Sequence, residues 1–367
     1  MKILYVLEDE FDFNQGGMAT QMRQYINGAL KRKLYVKKIS VSQFEKGINE
    51  TFDIIHLCDV SVPYDLRKLI IGLRKIDRNK SKIVLSTIYW DFDDYFKNGS
   101  HISQRIVYRL FGSDYVERIS SFIKFLSTRK RRYLEGFLIY KKELQCKLGS
   151  SVDLLLPNSY GEAKLFKKKT GATSNYKVIY NGVFGISQYT SKIRDIDILC
   201  VARIDRRKNQ LQIAKEFAGT DYIVKFIGPV GPNSKKYFKE LQKLINENNN
   251  LEYLGVKTQE ELDLFYSRTK YHCLLSWVET PGLVNLDAFS KGCEVIVADK
   301  GSVKEYFGSA AFYVEIQGRR GQIIEIINAK RKIPHYLRQE LTQKILMRYN
   351  WSEINNKLFE TYKNLIQ

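Results

Sequence analysis

The stretch Ser276-Trp-Val-Glu279-Thr-Pro281-Gly282-Leu-Val-Asn-Leu-Asp287-Ala-Phe-Ser-Lys-Gly292, running on to Gly301-Ser-Val-Lys-Glu305, decides the reading of this chain. Two carboxylates, Glu279 and Asp287, stand eight positions apart, and between them a Pro-Gly turn opens a helical pattern. A helix N-terminus presents unpaired backbone N–H groups and the positive end of a dipole, which suits a phosphate or diphosphate. Glu279, just before the turn, is placed to accept hydrogen bonds from hydroxyls of whatever the phosphate carries. Asp287 falls near the other end of such a ligand. Phosphate in the middle with hydroxyls on either side describes a nucleotide sugar. Taken alone, the pair reads equally as an N-cap acid plus a solvated helix acid.

Working outward, Val201-Ala-Arg203-Ile-Asp-Arg206-Arg207-Lys208-Asn-Gln210 follows an apolar strand pattern and precedes a helical one. A basic cluster at a strand's carboxyl end is where a diphosphate lies, because Arg grips phosphate oxygens in a fork and Lys supplies a compact charge. The alternative is a solvated basic loop. Apparent strands fall at Lys2–Leu7, Leu34–Ser40, Asp53–Leu57, Lys82–Thr87, Val152–Leu156, Lys177–Tyr180, Asp197–Val201, Ile223–Gly228, Leu251–Leu254, Tyr271–Leu275, Glu294–Ala298 and Ala311–Val314, with helical patterns between most of them. Alternation of this kind predicts parallel, doubly wound α/β sheets. There are too many strands for one sheet, and the pattern breaks near residues 187–194. Two Rossmann-like domains facing a central cleft are expected, with the ligand at the carboxyl ends of the strands.

These motifs resemble the donor site of retaining glycosyltransferases with the GT-B fold, in particular glycosyltransferase family 4. The family pattern is Glu, seven residues, Glu, then Gly-x-x-Glu; this chain has Asp287 at the second acid and Thr280-Pro281 where the family shows Gly-Phe. The family also carries Arg, four residues, Lys-Asn, which Arg203 and Lys208 fit. The resemblance implies that Arg203 and Lys208 neutralise the departing nucleotide diphosphate, doing the work of a metal, so no cofactor or metal is expected. It implies that Glu279 holds the donor sugar, that Asp287 holds the ribose, that the N–H groups of Gly282 and Leu283 meet the diphosphate, and that Val284 belongs to the donor-binding set. Gly16-Gly17 aligns with a family Gly-Gly near the donor phosphates, and Val256-Lys257 with a loop that holds the base. Tyr180-Asn-Gly-Val183 resembles a landmark at the end of the first domain, and Tyr349-Asn-Trp351 one before a final helix that crosses back. The implied domains are 1–190 (acceptor side), 191–349 (nucleotide sugar) and a returning helix at 350–367, beginning with Ser352 as N-cap. The implied enzyme is a metal-independent retaining glycosyltransferase of the hexosyltransferase type.

Many family members place a His after the fourth strand; here Tyr89-Trp90-Asp91 occupies that region, an aromatic platform with an acid that suits a sugar face as donor or acceptor contact. Asp91-Phe-Asp93 also has the form of a D-x-D metal motif, in the wrong order of elements. No two of the four His have ligand spacing, and the five Cys have no C-x-x-C pair, which reads as reduced thiols in a cytoplasmic protein. Met1–Leu7 reads as a strand and not a secretory signal. No apolar stretch approaches the length of a membrane span. The net charge of +20 calls for an anionic partner. Residues 101–150 hold eleven Lys/Arg against four Asp/Glu, densest at Arg129-Lys130-Arg131-Arg132, with aromatics interleaved. That segment reads as a helix pair with its aromatics turned inward, or as a surface for an anionic membrane. The expected acceptor is a glycan or lipid-linked acceptor of bacterial surface polysaccharide synthesis, used at the inner face of the membrane. The competing classes are a sugar-nucleotide epimerase of the same fold and a basic nucleic-acid-binding protein; no recognisable nucleic-acid module favours the latter.

Overall fold

A computed structural model describes all residues except 12–15, 184–192, 281 and 330–331. The expected domain break at 187–194 and Pro281 of the turn therefore fall wholly or mostly outside the described residues. The chain divides into two compact units, one of Met1–Lys97, His101–Gly182 and Trp351–Gln367, the other of Asn98–Ser100 and Val183–Asn350.

The first unit begins with β1 (Lys2–Leu7), α1 (Gly17–Lys31), β2 (Tyr35–Ser40), α2 (Val41–Lys46), β3 (Ile54–Cys58), α3 (Pro63–Leu73) and β4 (Lys82–Ser86). A π-helical turn at Tyr95–Gly99 leads to α4 (Ile102–Phe111), α5 (Ser113–Thr128), α6 (Arg131–Leu138) and α7 (Lys141–Ser150). The short β5 (Leu154–Leu155) and α8 (Tyr160–Thr170) complete this part. The strands form one parallel sheet in the order β2-β1-β3-β4-β5. Its apolar runs are continuous because both faces are covered. Ile3, Tyr5 and Leu7 of β1 enter one core with Met22, Tyr25 and Ile26 of α1. Leu4 and Val6 enter the other, with Phe44 of α2 and Leu66 and Leu69 of α3.

The second unit runs β6 (Ile196–Val201), α9 (Gln210–Phe217), β7 (Val224–Ile227), α10 (Lys235–Asn246), β8 (Leu251–Tyr253), α11 (Gln259–Ser267) and β9 (Thr269–Leu274). It continues with α12 (Leu283–Ser290), β10 (Glu294–Ala298), α13 (Val303–Phe307), β11 (Phe312–Val314), α14 (Gln322–Asn328) and α15 (His335–Met347). Its sheet is parallel with the order β11-β10-β9-β6-β7-β8. Here too β6 contributes to two cores, Ile198 and Cys200 to one and Ile196, Leu199 and Val201 to another. The last helix, α16 (Trp351–Ile366), packs in the first unit, where Trp351, Ile354, Leu358, Phe359 and Tyr362 join the core around α1. That spacing is the apolar face of one amphipathic helix.

Three expected elements differ. Lys177–Tyr180 is not a strand: Lys177 N–H donates to Leu155 O at 2.9 Å and Ile179 N–H to Pro157 O at 3.0 Å, but Pro157 has no N–H to return the bond. The strand expected at Val152–Leu156 is shorter in the structure, as β5 (Leu154–Leu155). Ser352 is not an N-cap, because α16 starts one residue earlier and places it inside the first turn. Four of the five Cys are buried and Cys146 is partly buried, all as free thiols. Among the described residues no helix is long and apolar enough to cross a membrane.

Candidate functional site

Sheet order explains how residues far apart in sequence meet. Strands β6 and β9 are neighbours, so the segments leaving their carboxyl ends, 202–208 and 275–280, lie side by side. Trp277 N–H donates to Arg207 O at 2.7 Å and ties the two together. Across that junction Lys208 Nζ donates to Glu279 Oε2 at 2.7 Å, with both side chains largely buried. An ion pair at this depth is held by its surroundings and keeps much of its Coulomb energy.

Asp205 organises the basic cluster. Its carboxylate accepts from Arg207 N–H, capping the short 3-10 turn at Arg206–Lys208, and from the guanidinium groups of Arg203 and Arg207. Burial works to raise its pKa, but Arg207 and Arg203 outweigh burial and hold the carboxyl below its ordinary value. Arg203 is thereby aimed while 42 % of its side chain stays exposed, open to an anion. Asp205 escaped the sequence reading, since one acid among four cations reads as a solvated charge.

Gly282 precedes α12 with φ of +67°, and a Cβ there would lie 3.5 Å from Glu279 Cγ. The helix N-terminus and the Glu279–Lys208 pair thus adjoin. Beneath Gly282, Asn285 is buried with its amide beside the His272 ring, a polar group that the sequence reading passed over. Gly301 closes the site from behind. Its φ is +60°, and a Cβ would fall 1.7 Å from Glu279 O, so only glycine lets the two backbones approach so closely. Asp287, in the second turn of α12, is partly buried. Burial pushes its carboxyl up to about 7, with Asp263 adding to the rise and Lys291 opposing it. On another loop, after β8, Val256 is exposed and Lys257 bonds Glu261. Leu283 and Val284 start α12.

In the first unit, Gly16 is the N-cap of α1 with φ of −72°, and Gly17 is its first residue. Neither uses the positive φ expected of a Gly-Gly turn. Tyr89, Trp90 and Asp91 follow β4. Tyr89 stacks edge-on against Phe166 at 5.3 Å, and Trp90 packs near Phe92. Asp91 and Asp93 both pair with Lys169, so the D-x-D form is a pair of carboxylates that share one cation. Burial opposes the Asp93 charge, but Lys169 holds its carboxyl below its ordinary value. The loop is positioned by Glu162, a buried carboxylate missed from sequence: it accepts from the Thr87 hydroxyl, from Tyr89 N–H at 3.0 Å and from Asn158 N–H at 3.0 Å. His56 and His272 are structural: both are buried in strands, and burial pushes each down to about 3. Of the basic run, Arg131 bonds Glu135 at 2.9 Å, Arg132 lies over the Tyr133 ring, and Arg129 ends α5 in the left-handed conformation.

Comparison with known proteins bears on the fold and on the second unit. Residues 187–341 match the family of glycosyl transferases group 1. No curated protein matches in sequence. Among solved structures, sucrose-phosphate synthase from Thermosynechococcus elongatus superposes with a TM-score of 0.75 at 13% identity, covering 100% of this chain and 99% of that one. Anabaena HepE in complex with UDP gives 0.67 at 14% identity, covering 99% and 100%. Its complex with UDP-glucose gives 0.66 at 16% identity, with the same coverage. The fold is GT-B, and residues 187–341 are similar to glycosyl transferases group 1. Within that class the chain resembles group 1, consistent with the family 4 pattern of its donor-site motifs.

Proposed function

We propose that this chain moves a sugar from a nucleotide-sugar donor to a glycan or lipid-linked acceptor, with retention of anomeric configuration and with no metal required. The observation that carries the reading is the Lys208–Glu279 ion pair beside the N-terminus of α12, with Arg203 aimed by Asp205 on the same loop. The acceptor hydroxyl oxygen attacks the anomeric carbon from the face that the nucleotide leaves. The bond from that carbon to the diphosphate oxygen breaks, and the nucleoside diphosphate departs. Arg203, Lys208 and the N–H groups of Gly282, Leu283 and Val284 stabilise its growing charge, which is where fixed cations and dipoles do most for a rate. The departing phosphate oxygen takes the acceptor proton. Glu279 accepts from donor-sugar hydroxyls, and Asp287 from ribose. Gly16 and Gly17 line the donor side, Val256 and Lys257 meet the base, and Tyr89, Trp90 and Asp91 form the sugar platform. The acceptor belongs to bacterial surface polysaccharide synthesis, and the protein works on the cytoplasmic face of the membrane, drawn there by Arg129, Lys130, Arg131 and Arg132.

The test is a thermal-shift screen of UDP, GDP, ADP, CMP and dTDP with their sugars, without added metal, followed by anomer analysis of the transfer product. Nucleotide binding raises Tm by mass action. Retained configuration in the product, lost in R203A/K208A, supports the reading. Conversion of the nucleotide sugar without acceptor means an epimerase instead. Transfer by R203A/K208A at the wild-type rate overturns the site assignment.

A further inference from the structure

Helices α4, α5 and α6 span 37 residues, yet α4 buries no side chain, α5 buries only Val116 and α6 only Gly136. An amphipathic helix of a globular protein turns its apolar stripe to the core. Here the stripe faces out. On α4, Ile102, Ile106 and Leu110 recur every four residues and are 53 to 74 % exposed. On α5, Ile119, Phe122, Ile123 and Leu126 lie on one helical face and are 37 to 61 % exposed. Residues 102–140 carry eleven of the twenty-three large exposed apolar side chains among the described residues, far beyond single scattered cases.

The charge around the stripe selects what covers it. Residues 102–140 hold eight Lys/Arg and three Asp/Glu. Two of those acids are occupied: Glu117 pairs with Lys141, and Glu135 with Arg67 and Arg131. Arg109, Lys124, Arg129, Lys130 and Arg131 are exposed beside the apolar side chains. A second copy would set these cations against themselves in a chain of net charge +20. No helix here is long enough to cross a bilayer, which leaves the interface.

We propose that the outward faces of α4 and α5 insert their apolar side chains into the interface of a lipid bilayer carrying anionic head groups. This deepens the membrane part of the function proposed above, and it does not depend on the donor site. The insertion is carried by Ile102, Ile106, Leu110, Ile119, Phe122, Ile123 and Leu126, while the cations hold the head groups. Apolar insertion distinguishes this surface from one held by charge alone, because salt screens the second and not the first.

The test is co-sedimentation with vesicles of phosphatidylcholine alone or mixed with phosphatidylglycerol, at low and high salt. Wild type should sediment with the anionic vesicles and remain partly bound at high salt. I106D/L110D/I119D/I123D should partition at least about tenfold more weakly at either salt. R129S/K130S/R131S should lose chiefly the salt-sensitive part. Wild type left in the supernatant overturns the proposal, as does sedimentation of the four-Asp variant equal to wild type. So does a wild-type dimer by light scattering that the four-Asp variant converts to monomer, since the covering partner would then be a second copy. Circular dichroism shows whether each variant is folded. A nucleotide thermal shift run in parallel reports the donor site: its absence in wild type, with vesicle binding intact, would count against the transferase reading alone.

Discussion

Replacing Gly301 by Ala tests whether the position of Glu279 matters. The added Cβ would lie 1.7 Å from Glu279 O, where side chains do not come closer than 3.0 Å, so the two segments must part by at least about 1.3 Å (3.0 − 1.7). The left-handed backbone at φ of +60° costs Ala about 1–2 kcal/mol. Relieving the overlap costs about 1–3 kcal/mol more. Together, about 2–5 kcal/mol lowers Tm on the order of 10 °C for a unit of this size. Misplacement of about 1 Å at a reacting centre costs roughly 100-fold in rate. With Glu279 on the donor sugar and Lys208 on the diphosphate, G301A should lower kcat about 100-fold while the Kd for nucleoside diphosphate changes little. The assay is steady-state transfer well below the variant's Tm, with calorimetric binding of the nucleotide alongside. A destabilised but folded G301A whose kcat stays within about threefold of wild type refutes the reasoning, because Glu279 would then have moved without consequence.

K208A strips the partner from a largely buried Glu279 carboxylate and should cost about 1–3 kcal/mol of stability, together with about 10²–10³ in kcat for the lost cation; initial rates that match wild type would remove Lys208 from the mechanism. Asp287 has its folded pKa raised from the ordinary 3.8 to about 7, so the native state keeps its proton longer and stability falls as pH rises from about 4 to about 7. D287N should flatten that slope and melt above wild type at pH 8; melting curves with equal slopes would rule the account out. His56 is shifted the other way, from 6.5 down to about 3 by burial, so its contribution is lost as pH falls through that window. H56L should remove part of the acid-side slope, and at neutral pH cost about 1–3 kcal/mol because Tyr362 and Ser86 lose their buried partner; urea titrations at pH 4 and 7 decide it. W90A should lower kcat/KM for the acceptor or donor sugar without weakening nucleoside diphosphate binding, and equal losses in both would place Trp90 elsewhere.

Parallel strands covered on both faces leave unbroken apolar runs, so Lys2–Leu7 and Glu294–Ala298 were legible to the residue. Lys177–Tyr180 has a similar apolar composition but lies beside the two-residue β5 and Pro157 that follows it, and composition does not reveal a neighbour's missing N–H. The site was legible by motif and not by contact. Arg203, Lys208 and Glu279 each stood out, whereas the pairing of Lys208 with Glu279 across 71 positions depends on β6 lying next to β9, and the close approach of Gly301 to Glu279 was not read at all. Asp205 and Glu162 act by aiming other groups, and a lone acid carries no spacing that would announce such work.

The helices of residues 102–138 show where periodicity stops being informative. Ile102, Ile106 and Leu110 follow the four-residue repeat of a core-facing helix, and a reading with the aromatics turned inward fits that repeat equally well. Period identifies that a helix has an apolar face; it does not say which way the face points. The direction depends on whether the rest of the unit offers a partner, and here the first unit's two cores are already filled by α1, α16, α2 and α3. Part of the aromatic set is covered by the helices themselves while staying partly exposed, since Phe122 meets Phe137 at 4.8 Å and Arg118 covers Tyr140. The aliphatic stripe is what remains outside. The one signal of this in the chain was charge: a core-facing stripe is normally flanked by acids and bases together, and this one is flanked by eight cations and three acids.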